Sequence, residues 1–247
     1  MKVISPTPNL VEQVRDALIN EIASGQLKPG ERIIQKHIAQ ALGVSRQPVQ
    51  QALLLLRNQG VLRDAGGRGL IVSPLDPDRV EHVYLIRAAI EGLACRLAAQ
   101  NQTDQARKQG AALIEAGRKA VVAGSVPKMI AADIRFHQFL YDLAGNPLIA
   151  PAMASHLTYT QRAMGEVLVQ DQSPRDIWDQ HAAIMDAIAG GEADQAEALA
   201  RDHLMQACGF MVSRLKELAA RDSQAEDSGR SEEHTSELQS QSTISYA

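Results

Sequence analysis

Six helix-length stretches with apolar residues at helical spacing run through residues 78–221, and they constrain the fold more than any other feature of the chain. Helix breakers separate them: an Asp-Pro pair at Asp76, a Gly-Asn-Pro run from Gly145, and a glycine pair at Gly190. Aromatic residues make up only 3% of the chain, which favours helices packed through small and aliphatic side chains. The pattern predicts an all-α bundle whose helices cover residues 78–101, 103–124, 126–144, 147–170, 174–190 and 192–220.

Residues 8–75 are organised differently, with three shorter helical stretches before a pair of strands. The first stretch ends at Gly25, the second, IIQKHIAQALGV, ends at Gly43, and the third, SRQPVQQALLLLRNQG, ends at Gly60. Ser45 is placed to cap the third helix. A short helix, a glycine-containing turn and a second helix form the pattern of a helix-turn-helix. The glycine-rich segment VLRDAGGRGLIV then predicts two short strands around a tight tip, which makes the module winged.

Polar side chains occur where such a module would meet DNA. Arg46, Gln47 and Gln50 begin the third helix and can donate to phosphates or to base edges in a major groove. Lys36 on the second helix can contact the DNA backbone, and Arg68 lies at the glycine-rich tip. Each residue taken singly could be an ordinary solvated side chain. Their joint arrangement favours a DNA-binding surface.

The front module resembles the winged helix-turn-helix of the GntR family over essentially all of residues 8–75. The resemblance lies in GQLKPGERI, LGVSRQPVQQALLLLRNQGVL and GRGLIV. That family usually reads LGVSRTPVREAL, so Gln47 stands where threonine is usual, and Gln50 and Gln51 stand where arginine and glutamate are usual. The resemblance implies a double-stranded DNA operator as partner. An amide at position 50 suits adenine better than the guanine that arginine reads, so we expect an altered operator preference.

Four side chains of metal-ligand type fall on apolar helix faces of the bundle. Asp133 and His137 are four residues apart and share a face, while His181 and His203 fall on the apolar faces of the last two stretches. A lone histidine on such a face is usually a satisfied core residue. Four unpaired polar groups in one core would each cost roughly 1–3 kcal/mol, and a divalent metal satisfies all of them at once. The residues thus favour a metal site, with a polar core network as the alternative.

Residues 78–221 resemble the FCD ligand-binding domain that follows this winged module in the FadR subfamily, and six helices indicate its VanR-like branch. In metal-binding members, an Asp-x-x-x-His helix is joined by two later histidines at spacings like those found here. The resemblance therefore implies Asp133, His137, His181 and His203 as ligands of one divalent ion. Imidazole and carboxylate suit zinc, nickel, manganese or iron.

The same resemblance implies a homodimer that binds a small organic acid, whose carboxylate completes the coordination of the metal. Arg87, in LIRAAIEGLA, matches a family arginine that faces the cavity, and Arg162 could also reach it. The alternative for Arg87 is a surface ion pair with Glu91, one turn away. Neither His82 nor His156 belongs to the pattern, although His156 could face the cavity.

Charge is unevenly distributed along the chain. Residues 1–76 hold 9 Lys/Arg against 6 Asp/Glu, residues 77–222 hold 15 against 18, and residues 223–247 hold 1 against 5. The basic front end indicates an anionic partner for that module alone. From residue 222 the chain is polar and is predicted to be disordered. Within it, RSEEHTSELQS resembles the translation of a sequencing adapter.

No apolar run is long enough to predict a membrane span, and the first residues lack the apolar region of a secretory signal. Cys95 and Cys208 lack metal-type spacing and are predicted to be reduced core residues, so we expect a cytoplasmic protein.

Together these features predict a transcription regulator, not an enzyme, whose operator affinity is controlled by a carboxylate effector at a metal site. A second interpretation keeps DNA binding but makes the metal structural or the sensed species. A third is a metal-dependent hydrolase or oxygenase that carries a DNA-binding module. That class needs a general base beside the metal, and the ligand faces offer no spare carboxylate in the sequence pattern.

Overall fold

A computed structural model describes residues 10–170 and 176–242 of the chain. The described chain begins with a small module that combines three helices and a three-stranded antiparallel sheet in the order β1-β3-β2. Its elements are α1 (Leu10–Ala23), β1 (Arg32–Ile33), α2 (Gln35–Ala41), α3 (Arg46–Asn58), β2 (Leu62–Asp64) and β3 (Leu70–Val72).

Apolar side chains from every helix of the module meet over the sheet and form a core of their own, which includes Val14, Leu18, Val49, Leu56 and Val72. Two local predictions need correction. The turn after α1 contains β1, which pairs with β3 and is too short to show strand alternation in the sequence. The backbone of Ser45 is extended at the start of α3, but its side chain makes no capping hydrogen bond.

The bundle consists, in the described part of the chain, of six helices, as predicted. They are α4 (Pro77–Asn101), α5 (Thr103–Val122), α6 (Val126–Ala144), α7 (Ile149–Gln170), α8 (Ile177–Gly190) and α9 (Ala193–Ser242). Helix α4 is central, because it packs against α6, α7, α8 and α9. The fold class, a winged helix-turn-helix followed by an all-α bundle, is confirmed.

The predicted helix ends have clear physical causes. The Asp76 carboxylate accepts a hydrogen bond of 3.0 Å from the Asp78 amide and caps α4. Gly145 and Gly191 end α6 and α8 in the left-handed region, at φ 67° and 78°, which only glycine adopts without strain. Among the described residues, no helix combines the length and apolar content needed to cross a membrane.

The backbone of α9 continues to Ser242. The disorder that the sequence predicts from residue 222 stays a prediction. The last residues of the tail, 243–247, lie outside the described part of the chain.

Helix α7 of the bundle lies against α1 of the front module. Gln161 donates a hydrogen bond of 3.1 Å to the side-chain oxygen of Asn20. One turn further along α7, a Cβ added at Gly165 would overlap the backbone of Ala23. The two helices therefore approach as closely as their backbones permit at this point.

Candidate metal centre and DNA-binding surface

Three helices bring the four predicted metal ligands together in the middle of the bundle. Asp133 and His137 come from α6, His181 from α8 and His203 from α9, and all four side chains are buried. The Nε2 atoms of His181 and His203 are 3.2 Å apart. Each oxygen of the Asp133 carboxylate lies 3.7 Å from a histidine Nε2, one from that of His137 and the other from that of His181. One ligand atom from each histidine lies within 4.8 Å of the others.

Hydrogen bonds on the far side of two rings fix their orientation. Nδ1 of His137 lies 2.6 Å from Glu91 Oε2, and Nδ1 of His203 lies 2.8 Å from Gln180 Oε1. An oxygen acceptor at this position assigns the ring proton to Nδ1 and leaves a lone pair on Nε2. The ring of His181 is held differently, since it stacks on Phe136 with 4.0 Å between centroids. The lone pairs of His137 and His203 thus point toward the shared centre.

The environment favours the neutral form of two imidazoles, which is the form that binds metals. Burial and the adjacent histidines lower the pKa of His181 well below its usual range. Burial, together with the nearby His137 and Arg87, lowers the pKa of His203 to about 3. Burial raises the pKa of Asp133, although His137 and Arg87 oppose that rise. Imidazoles and a carboxylate form a donor set that suits a divalent first-row metal, so the residues fit such an ion.

Glu91 is a part of this centre that sequence reasoning misplaced. Its side chain is 1% exposed, so the Arg87–Glu91 pair is buried and not at the surface. The carboxylate accepts from Arg87 Nε at 2.7 Å and from the Tyr141 hydroxyl at 2.9 Å. Burial raises the pKa of Glu91, but Arg87 and His137 outweigh burial and lower it below its usual range. The sequence did contain a signal for the central position of α4, because alanines occur on all sides of this helix. Small residues on every side are typical of a helix in the middle of a bundle.

A cavity of about 280 Å³ opens beside the centre. Arg87 lines it, and Arg87 Nη2 is buried without a hydrogen-bond partner among the described residues. The walls are mostly apolar and come from α6, α7, α8 and α9: Met129, Met164, Leu168, Ile177, Trp178, Leu204, Ala207, Phe210 and Met211. The polar lining residues besides Arg87 are Tyr84, Asp133, His137, Asp176, Gln180, His203 and Gln206.

The predicted DNA-contacting residues Lys36, Arg46, Gln47, Gln50 and Arg68 are all exposed. Three begin α3, one lies on α2 and one lies between β2 and β3. Neighbouring side chains brace this surface. A side-chain amide from the start of α2 donates to the carbonyl of Arg46 at 2.9 Å, and the guanidinium of the β1 arginine donates to the carbonyl of Arg68.

Comparison with known proteins identifies the two parts separately. Residues 10–72 match the gntR family of bacterial regulatory proteins, and residues 82–206 match the FCD domain. The chain belongs to the GntR family. It is 30% identical over 180 residues to an HTH-type transcriptional regulator in an unstable DNA locus of Streptomyces ambofaciens, across 72% of this chain and 75% of that protein. The HTH-type transcriptional repressor RspR of Escherichia coli K12 is 25% identical over 203 residues, across 82% and 89% of the two chains.

A solved structure shows the same fold. Escherichia coli McbR superposes on this GntR-family chain with a TM-score of 0.74 at 21% identity, covering 86% of this chain and 99% of that one. The family resemblance inferred from the sequence is confirmed. It assigns the chain to DNA-binding transcription regulators and not to enzymes. The sequence analysis did not place Glu91 beside the candidate centre. Its carboxylate is not free to act as the general base of a hydrolase, because Arg87, Tyr141 and His137 already engage it.

Arg162, predicted to contact the effector together with Arg87, lies elsewhere in this GntR-family chain. It does not line the cavity, and its guanidinium donates to the carbonyl of Ser73, at the junction with the front module. His156 bonds to a carbonyl of its own helix, and His82 is exposed. Helical spacing could not separate Arg162 from Arg87, because both lie on buried helix faces. Only the position of α7 against the linker, the segment between β3 and α4, decides between them.

Proposed function

We propose that this GntR-family regulator binds its operator with an affinity set by a small carboxylate, held at a divalent metal in the helical bundle. One observation carries the proposal: inward-facing imidazoles and Asp133 adjoin a cavity that Arg87 also lines. Arg87 Nη2 is buried without a hydrogen-bond partner among the described residues, and such a donor costs free energy, so a carboxylate oxygen that reached it would be stabilising.

Asp133, His137, His181 and His203 would hold the ion. When bound, a divalent cation supplies positive charge and open coordination positions for oxygen donors. Glu91 and Gln180 keep the Nε2 atoms of His137 and His203 directed at the centre through their bonds to Nδ1. Arg87 orients the effector carboxylate from the other side.

Helix α7 connects the cavity to the DNA-binding module. Met164 and Leu168 of α7 line the cavity, and Thr160 accepts a hydrogen bond of 3.2 Å from Arg87. On a different face of the same helix, Gln161 and Gly165 contact α1. An effector that contacts Arg87 and Met164 would favour one position of α7. Because α1 packs against α7, α1 would move with it.

We further propose a cytoplasmic homodimer that joins through the bundle. Leu85, Ile86 and Leu93 lie on one face of α4 and are 44–47% exposed, although α4 is otherwise central to the core. Two linked DNA-binding modules bind a symmetric operator with higher affinity than a single module does. The name of the relative RspR favours repression, relieved when the effector binds.

The decisive experiment compares His181→Ala with His156→Ala in the full chain. Both changes delete an imidazole, but only His181 belongs to the centre. We expect the parent and His156→Ala to retain a divalent metal by elemental analysis after purification without chelator, and His181→Ala to lose it. A carboxylate at a hundred times its dissociation constant should stabilise the first two proteins by ~2.7 kcal/mol and the third by almost nothing. All three should bind operator.

The outcome that contradicts the proposal is equally clear. If the parent cannot be loaded with zinc, nickel or manganese, the four residues form a polar network and the effector site is elsewhere. A structural metal is the second candidate, because its ligands would tie α6, α8 and α9 together. In that case chelation would unfold the bundle, whereas an effector site would lose only the response to the carboxylate.

A further inference from the structure

We propose that the effector is a monocarboxylate with a compact apolar body, and that acids with a second carboxylate or several hydroxyls are excluded. This inference rests on the proposed function and narrows the ligand class of the same site. Three observations support it: the balance of buried charge, the character of the cavity wall and the size of the cavity.

The charges around the cavity match one carboxylate. Of the described lining residues, Arg87 is the only permanent cation, and Glu91 already accepts from its Nε at 2.7 Å. Asp133 adds a second buried negative charge. With a divalent ion present, Arg87, Glu91, Asp133 and the metal leave one net positive charge, which a single carboxylate neutralises. A second carboxylate inside the cavity would find no counter-charge among the described lining residues, and an unpaired buried charge is strongly unfavourable.

Arg162 is the residue that could have changed this balance. On an inward position of α7 it could have paired with a second carboxylate. Its Nη2 instead donates to the carbonyl of Ser73, and the residue does not line the cavity. The other charged lining residue, Asp176, is exposed and negative, so it adds repulsion for a second carboxylate.

The wall opposite the centre suits an apolar body. Met164, Leu168, Leu204, Phe210 and Met211 supply aliphatic, aromatic and thioether surface, and methionine adapts to ligands of different shape. The polar groups nearby are largely engaged with one another. Gln180 Oε1 accepts from His203 Nδ1 at 2.8 Å, and Gln180 Nε2 donates to Gln206 Oε1 at 3.0 Å. A polyhydroxylated acid would lose hydration without gaining equivalent partners.

The cavity volume limits the length of the body. About 280 Å³ lies at the lower end of small-molecule sites, which span roughly 300–1,000 Å³. Six-carbon and benzoic-type acids fit this limit.

The test is calorimetric titration of the full chain, loaded with zinc, nickel or manganese, whichever it retains. Hexanoate, adipate and gluconate share a six-carbon backbone and differ in the second carboxylate or the hydroxyls. Benzoate and phthalate provide a second matched pair. We expect the monocarboxylate of at least one series to bind roughly tenfold or more tightly than its counterparts, a difference of ~1.4 kcal/mol.

The outcomes separate this inference from the proposed function. If adipate, gluconate or phthalate binds as tightly as its monocarboxylate, the inference is wrong and a carboxylate site at the metal still stands. If no acid binds the metal-loaded protein, or no metal is retained, both fail. Binding of the monocarboxylates alone supports both.

A variant tests the charge balance without relying on loss of function. Met129 lines the cavity and is only partly buried, so a lysine there can extend toward solvent. We expect Met129→Lys to raise adipate affinity several-fold relative to hexanoate, while Met129→Gln, polar but uncharged, leaves their ratio unchanged. An adipate-to-hexanoate ratio that is the same in Met129→Lys and Met129→Gln would show that buried charge does not select the ligand.

Discussion

At the residue scale, Glu91 links the cavity to the candidate metal centre. One buried carboxylate accepts from Arg87 and Tyr141 and holds Nδ1 of His137 at 2.6 Å. The same group therefore balances the cavity cation and orients a ligand ring. A buried ion pair of this kind contributes little net stability, but removing one partner leaves the other charge uncompensated.

Glu91→Ala should accordingly lower the free energy of unfolding by about 3–5 kcal/mol, measured by urea denaturation at pH 7. Glu91→Gln keeps the shape and should fold better, but it should reduce metal affinity by roughly 10–100-fold because His137 is less well held. Glu115→Ala, which breaks an exposed pair with Lys119, is the control and should behave like the parent. A parent-like stability for Glu91→Ala would show that Glu91 does not compensate a buried charge.

Arg46 is the residue-scale test of DNA recognition. It is exposed at the start of α3, where a helix-turn-helix meets the major groove. Arg46→Ala should weaken operator binding by roughly 1–3 kcal/mol if the side chain reads a base, or reduce the salt dependence if it contacts only phosphate. Arg107→Ala, an exposed arginine on α5 of the bundle, should change neither quantity. Unchanged affinity and salt slope for Arg46→Ala in a gel-shift titration would remove Arg46 from the interface.

At the scale of elements, α7 both lines the cavity and packs on the DNA-binding module through α1. Its glycine at position 165 permits the close approach, since a Cβ there would meet the backbone of Ala23. The overlap is with backbone and not with a flexible side chain, so α1 must move to relieve it.

Gly165→Ala should therefore leave carboxylate affinity near that of the parent and reduce the effect of the carboxylate on operator affinity. The measurement is operator binding with and without the ligand. Gly209→Ala, in α9 with open space around its Cβ position, carries the same gain in helix propensity without the overlap. Equal effector responses in the two variants would mean that the contact between α7 and α1 does not transmit the signal.

At the scale of the whole molecule, the front module has its own core and the bundle holds the proposed effector site. Residues 1–76 alone should fold and bind operator, but more weakly than the full chain and without response to carboxylate. The physical reason is that the linked dimer presents two modules to a symmetric site. Fluorescence anisotropy on one operator duplex compares the two proteins directly. A fragment that binds as tightly as the full chain would contradict a contribution from the bundle.

The sequence by itself determined the helices, the winged module and the four inward-facing residues of the candidate metal centre. These depend on local properties: apolar spacing assigns a face to Asp133 and His137, and helix breakers such as Gly145 end elements wherever they occur. Family motifs in residues 8–75 added the class of partner. None of these inferences requires knowing which helix lies beside which.

Only the tertiary structure decided the surroundings of the centre. From spacing alone, Glu91 could be a surface partner of Arg87. Because α4 lies in the middle of the bundle, the Glu91 carboxylate is buried and reaches His137. Arg162 looked equivalent to Arg87 until α7 was placed against the linker, where it reaches the carbonyl of Ser73. Spacing along one helix defines a face but not the neighbour of that face, because packing depends on residues far apart in the chain. Among the described lining residues, Arg87 is the single arginine of the cavity, and this follows from that packing.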